Sequence, residues 1–245
     1  MRSSVLPVRF WLTTCAALAG IALTLGLGFW QLSRATEKLA LQSAMDGAQT
    51  LPALDTAALL RARDDAGSLT DVVYRHTRLR GTWLGRHTVF LDNRQMNGKP
   101  GFFVLTPLQL ENSSATVLVQ RGWVQRSFSD RAAVPEVPTP SGLVEVAGRI
   151  GPPPSKLYEF ESSRGGVIRQ NLDMREFSRE IGASLLDVSV LQLAPAEPGL
   201  QRDWLRVNTG IDKHYGYAFQ WFALCGLLVI LYGWFQIVRR FISPR

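Results

Sequence analysis

Two stretches of the chain carry no formal charge and are mostly apolar: residues 10–33, between Arg9 and Arg34, and residues 214–238, between Lys213 and Arg239. Each exceeds the roughly 20 residues that a helix, rising about 1.5 Å per residue, needs to cross the hydrocarbon core of a bilayer. The pattern therefore predicts two transmembrane helices, the second preceded by a membrane-edge segment at its start. After the first, residues 34–46 hold few breakers and keep Leu39, Leu41 and Met45, so the helix should continue as a stalk. Residues 47–70 read as a connector with one short helical piece at 55–63.

From Asp71 the hydrophobic period becomes two. Candidate strands are 73–84, 87–92, 102–108, 116–124, 144–150 and 188–193. Turn residues separate them at 93–101, 111–114, around Pro135, Pro138 and Pro140, and at 152–154. Residues 171–182 place Leu172, Phe177 and Ile181 on one side of a short amphipathic helix. Gly81 and Gly148 interrupt strand patterns, as glycines do where a barrel strand bends. The predicted fold class is a membrane protein in which two α-helices flank an extracytoplasmic, mainly antiparallel β (α+β) domain at 71–213. That domain should be a small barrel or sandwich, with an OB-like topology among the possibilities.

The formal net charge of +7 suggests nucleic acid until it is divided along the chain. Residues 1–9 and 239–245 carry Arg2, Arg9, Arg239, Arg240 and Arg245 and no acid, while the span between the helices holds the other 22 of 27 basic residues and all 20 acidic ones. Basic residues outside the outer helix ends are the positive-inside pattern. Both termini are expected to be cytoplasmic and the central span to lie on the other face. Arg34, Lys38 and Lys213 at the inner ends oppose this weakly. No nucleic-acid footprint remains.

The only two cysteines, Cys15 and Cys225, sit in the apolar runs at opposite depths. The central domain thus offers no disulfide and no thiolate for copper. Ala17-Leu18-Ala19 resembles a signal-peptide cleavage site, but the apolar run continues well past it, so an uncleaved anchor is expected. Gly20, Thr24 and Gly28 fall four apart; this is either a stripe for a partner helix or the general tolerance of membrane helices for glycine.

GxSxG, HExxH, CxxC, P-loop and GxGxxG motifs are all missing, which leaves an enzyme such as a membrane-anchored hydrolase little support. His76 and His87 lie in strand patterns without metal-ligand spacing. Asp92-Asn93-Arg94 and Arg121-Gly122-Trp123 contain groups that could bind a partner. They also read as turn-capping polar residues and a core tryptophan with an adjacent surface arginine.

The membrane-edge residues say more. Trp30-Gln31 leaves the first helix and Gln220-Trp221 enters the second at the same depth. An aromatic belt with snorkelling cations accounts for Trp30, Trp221, Tyr217, Arg34 and Lys213. It does not account for the glutamines. An amide in hydrocarbon needs a hydrogen bond, so Gln31 and Gln220 should meet each other, a partner or a bound molecule. His214 carries a ring nitrogen able to ligate haem iron, although a lone histidine here also suits a plain interfacial role.

At these residues the chain resembles the surfeit locus protein family of cytochrome oxidase assembly factors. Four motifs carry the resemblance, in order, over about residues 28–235: Gly28 to Arg34 with Lys38; Gly81-x-Trp83 with Leu91-Asp92-Asn93-Arg94 and Gly101; 117–124 ending in Arg121-Gly122-Trp123-Val124; and His214-x-x-Tyr217-Ala218-x-Gln220-Trp221-Phe222. The chain departs at Asp212-Lys213, where relatives often carry asparagines, and residues 42–70 match nothing recognisable. The resemblance implies a non-enzymatic factor in the cell (inner) membrane that assists haem a insertion into the oxidase catalytic subunit. His214 would be the iron ligand. Gln31, Trp30, Tyr217, Gln220 and Trp221 would form the wall, and Arg34 or Lys38 would face the propionates. Asp92, Arg94, Arg121 and Trp123 would dock the catalytic subunit or haem a synthase. The alternative is a structural scaffold that stabilises an oxidase intermediate without touching haem.

Overall fold

The computed structural model describes residues 8–66, 69–127, 133–158, 166–204 and 210–238. The chain forms two compact units, one from residues before 45 together with those after 206, the other from 45–206.

In the first unit, α1 (Val8–Thr50) is a single helix of 43 residues, about 65 Å at the standard rise. Its last turn is followed by Pro52, which cannot continue a helix. The helix α4 (Ile211–Tyr232) starts after Gly210, held at φ +61°, and passes into a π-helical turn over Gly233–Val238. Both helices are long and apolar enough to cross a membrane. They pack antiparallel: Thr14 meets Tyr232 at one end, and Gln31 meets His214 at the other. The buried or half-buried positions step by three and four along α1 (Thr24, Gly28, Gln31, Ala35, Lys38) and along α4 (His214, Ala218, Trp221, Cys225, Leu228, Tyr232). That spacing keeps one seam of each helix on its partner over several turns.

The second unit is built on β2 (His76–Trp83), β3 (Val89–Met96), β4 (Lys99–Leu110), β5 (Ala115–Gln125), β6 (Leu143–Gly151) and β8 (Ser184–Ala194). Two short edge strands, β1 (Leu54–Asp55) and β7 (Ile168–Arg169), pair with β2 and β3. The sheet order is β1-β2-β6-β8-β5-β4-β3-β7, and β2 also pairs with β4, closing the ring β2-β4-β5-β8-β6. All ring pairings are antiparallel except β5–β8. Numbered along the chain, the ring runs first, second, third, fifth, fourth: the Greek-key barrel order of an OB-fold. Closure falls at Gly81, which pairs with Val144 on one side and Leu110 on the other. A Cβ there would sit 2.2 Å from the Gln109 carbonyl oxygen, so only glycine lets β2 reach both neighbours.

The barrel interior holds Leu79, Trp83, Leu108, Val117, Val119, Ile150 and Val190, with Leu59 of α2 (Thr56–Ala66) packed on it. Outside, α3 (Met174–Ile181) lays Met174 and Phe177 over Leu91, Leu105 and Leu118. This explains why β5 is buried on both faces from Ala115 to Trp123 while β2 alternates. At about 1.5–3 kcal/mol for each large apolar side chain buried, these two layers supply most of the unit's cohesion.

Several bounds differ from the pattern. His87 lies in a 3₁₀ turn (Gly85–His87) rather than in a strand. The turn expected over 93–101 contracts to Asn97 and Gly98, at φ +51° and +74°, the two-positive-φ arrangement of a tight hairpin. The strands on either side therefore run to Met96 and from Lys99. The sequence pattern missed β1 and β7, since two residues cannot display an alternation.

Candidate functional site

The first cluster lies on the helix pair. His214 Nδ1 is 2.7 Å from Gln31 Oε1. The seam positions one turn away are small: Gly28 and Ala35 on α1, Ala218 on α4, all buried. They admit a ring and an amide between two backbones. Gly28 faces the Phe222 ring so closely that an added Cβ would lie 2.6 Å from Phe222 Cε1. Phe29 packs edge-on against the same ring, centroids 5.4 Å apart. Of the stripe Gly20, Thr24 and Gly28, both glycines face α4 side chains, so its partner helix is the chain's own α4. His214 is half-buried, and its Nε2 makes no hydrogen bond to any described residue.

The other membrane-edge residues spread around this pair. Trp30 and Tyr217 are each 52 % exposed. Gln220 is exposed and does not meet Gln31, whose partner is the histidine, while Trp221 is half-buried on the seam. The Arg34 guanidinium sits 5.9 Å over the Trp30 ring and pairs with Glu37 at 2.8 Å. Lys38 is half-buried, its Nζ pointing toward Gly210 at the start of α4. Cys15 and Cys225 are both free thiols.

The second cluster fills the β unit. Arg121 and Trp123 are fully buried, so the tryptophan is the expected core residue while the arginine expected at the surface lies inside, held there by its ion pair and hydrogen bonds. The Arg121 guanidinium lies 5.0 Å over the Trp83 ring, donates to Pro138 O and Thr139 Oγ1, and holds Glu197 Oε2 through Nε and Nη2 at 3.1 and 2.5 Å. Gln192 donates to the other oxygen of Glu197. Arg202 Nη2 lies 3.2 Å from that oxygen, in ion-pair contact but outside hydrogen-bond geometry. Burial holds the Arg202 guanidinium below arginine's ordinary range, against the pull of Glu197. Trp123 donates its indole N–H to Arg94 O at 2.9 Å, and its backbone pairs with Gln201. A Cβ on Gly101 would lie 2.4 Å from the Trp123 ring.

Arg94, also buried, spends its guanidinium on the carbonyls of Ser155 and Gln170, and burial lowers its pKa. Asp92 alone of this set is partly open. It caps the Asn93 N–H at the β3 bulge and pairs with Arg126 at 3.3 Å. Trp83, Arg94, Gly101, Arg121 and Trp123 thus converge on one interior network, with Asp92 and Asn93 at its outer edge. It fastens residues 152–158 and 195–204 to the barrel. Sequence reasoning missed Glu197, Gln192 and Arg202. Glu197 and Arg202, both half-buried, lie in an irregular segment, where no periodicity marks the residues that turn inward.

The arrangement defines a class: a closed β-barrel unit that follows one helix of membrane-crossing length in the chain and precedes another, with a histidine–glutamine pair on the helix seam and, among the described residues, no acid or thiol cluster able to hold a metal ion. The chain belongs to the SURF1 family, whose model matches residues 18–226. It is 24 % identical over 225 residues to a SURF1-like protein of Rickettsia bellii, covering 89 % of this chain and 87 % of that one. A Drosophila melanogaster SURF1-like protein is 26 % identical over 241 residues, covering 89 % and 75 %. The cytochrome oxidase assembly protein SHY1 of Saccharomyces cerevisiae is 30 % identical over 98 residues, covering 40 % of this chain and 24 % of that one.

Proposed function

We propose that this protein is a non-enzymatic assembly factor for a haem–copper cytochrome oxidase and receives haem a as cargo at the outer edge of the cell (inner) membrane. In this reading 10–33 and 214–238 span the bilayer, both termini are cytoplasmic and the β unit is periplasmic. The observation that carries it is the His214–Gln31 pair. A histidine that ligates iron through one ring nitrogen usually has the other engaged by an acceptor, and here Nδ1 is engaged while Nε2 is unoccupied by any described residue. The donor set fits haem. His214 would meet the iron, Trp30, Tyr217 and Trp221 offer aromatic surface, and Lys38, with Arg34 in exchange for Glu37, would answer the propionates. Gln220 would face lipid or a partner helix. Iron bound at Nε2 supplies affinity and a spectroscopic signature; the protein's own task is to hold and release.

Asp92, Arg94, Arg121 and Trp123 would serve docking to the oxidase catalytic subunit or haem a synthase indirectly, by fixing the segments 152–158 and 195–204 that a partner could read. The test is to purify the protein with haem a available and to compare absorption spectra of wild type and His214→Ala. Binding by wild type alone is the expected result. If neither binds, the carrier reading fails; equal binding by both removes only the ligand assignment.

A second reading is favoured by the tight Gly28–Phe222 contact: a scaffold that stabilises an oxidase intermediate through its helix pair without touching haem. It expects Gly28→Leu to abolish oxidase assembly while His214→Ala leaves it intact.

A further inference from the structure

We propose that Gln31 is a positioning residue that sets the tautomer of His214, keeping the proton on Nδ1 and the lone pair on Nε2. This rests on the haem-carrier reading for its purpose, but not for its geometry. An imidazole carries its single proton on either nitrogen, and only the bare nitrogen can ligate a metal. A free histidine side chain in water has no neighbour to choose for it. Here the Gln31 amide oxygen lies 2.7 Å from Nδ1, and a carbonyl oxygen can only accept, so Nδ1 must be the donor.

The amide could in principle turn its nitrogen to the ring, which would bare Nδ1 and protonate Nε2. The ligand would then be lost. Which end of one glutamine faces the ring therefore decides whether the site can take a metal porphyrin. The surrounding layer keeps the pair together. Gly28, Ala35 and Ala218 are small and buried, so the two backbones approach closely enough for the amide to reach the ring. Gln220, the other membrane-edge amide, is exposed on α4 and cannot take over the role.

The test uses the full chain without haem, in detergent micelles or lipid nanodiscs, labelled with ¹⁵N-histidine. There are three histidines, and His214→Ala identifies the resonances of His214. At a pH where the ring is neutral, wild type should show Nδ1–H and an unprotonated Nε2. Gln31→Leu should lower the ratio of the Nδ1–H to the Nε2–H form by about tenfold, the scale of one net hydrogen bond. Gln31→Glu keeps an acceptor oxygen at the same reach and should retain the wild-type tautomer. An Nε2–H tautomer in wild type overturns the proposal, and this decides the matter even if the leucine variant fails to fold. An unchanged ratio in a folded Gln31→Leu overturns the role of Gln31.

Titrating the same samples with ferric haem a separates this inference from the carrier reading. Wild type with Nδ1–H that ignores haem leaves the tautomer assignment standing and removes the carrier. Haem bound equally by Gln31→Leu and wild type removes the positioning role alone.

Discussion

At the scale of single residues, the buried charges of the β unit are more informative than its surface. Arg121, Glu197 and Arg202 place two guanidiniums on one carboxylate, and Gln192 completes the set. Such an arrangement adds little net stability over a well-packed apolar core, because desolvation offsets most of the attraction. Breaking it is different. Glu197→Ala would leave the fully buried Arg121 and the half-buried Arg202 without their counter-ion and should cost about 3 kcal/mol. Arg121→Lys would lose the paired hydrogen bonds and the stacking on Trp83, and should cost less, because a positive charge remains beside Glu197. Urea unfolding followed by tryptophan fluorescence of the full chain would order the two; a smaller loss for Glu197→Ala than for Arg121→Lys would refute the ion-pair account. Both residues should alter partner binding only as far as they loosen 195–204.

At the scale of elements, the caps and seams are what hold each piece in register. Asp173 begins α3 by accepting from the backbone N–H groups of Arg175 and Glu176, and Gly182 ends the helix at φ +64°. Asp173→Ala should cost about 1 kcal/mol and show first as faster amide exchange in α3, while the barrel strands keep their protection. In the helix pair, Gly28→Leu would force the Phe222 ring away and slide or separate α1 and α4. The distance between spin labels placed at Thr14 and Tyr232, whose side chains meet across the seam in the parent chain, should lengthen or broaden in that variant. Much of this organisation was legible in the sequence. The two charge-free runs announced α1 and α4, and period two announced most of the barrel strands. Less was legible wherever partners are distant along the chain. Gln31 signalled that it needed a hydrogen bond, but nothing in its neighbourhood pointed to a histidine 183 residues away. Trp123 read as a core residue and Arg121 as a surface arginine beside it; barrel closure buries both.

At the scale of the whole molecule, the barrel's response to acid follows from three groups. The His87 ring is held below histidine's ordinary pKa, chiefly by burial and then by Arg86, with Glu180 pulling the other way. The folded protein therefore binds a proton there less readily than the unfolded chain does, so His87 contributes stability that is lost as pH falls below the ordinary histidine value. Glu180, bridged to both terminal nitrogens of Arg169 at 2.8 and 2.5 Å, is held below the usual carboxylate range by that hydrogen bonding. Asp173 is lowered too, first by Lys156 and then by the α3 N–H groups. Their contributions are complete above the ordinary carboxylate pKa and disappear as pH falls through the lowered folded values. All three act in the same direction, so the β unit should weaken in two steps on acidification, one near about pH 6.5 and one below about pH 4. The midpoint of thermal unfolding, measured against pH, should show both. His87→Gln should erase the first step and leave the second, whereas Glu180→Gln should shrink the second while lowering stability at neutral pH. A single carboxylate step in wild type, or a first step that survives His87→Gln, would mean that the ring beside Arg86 is not what the barrel protects from protons.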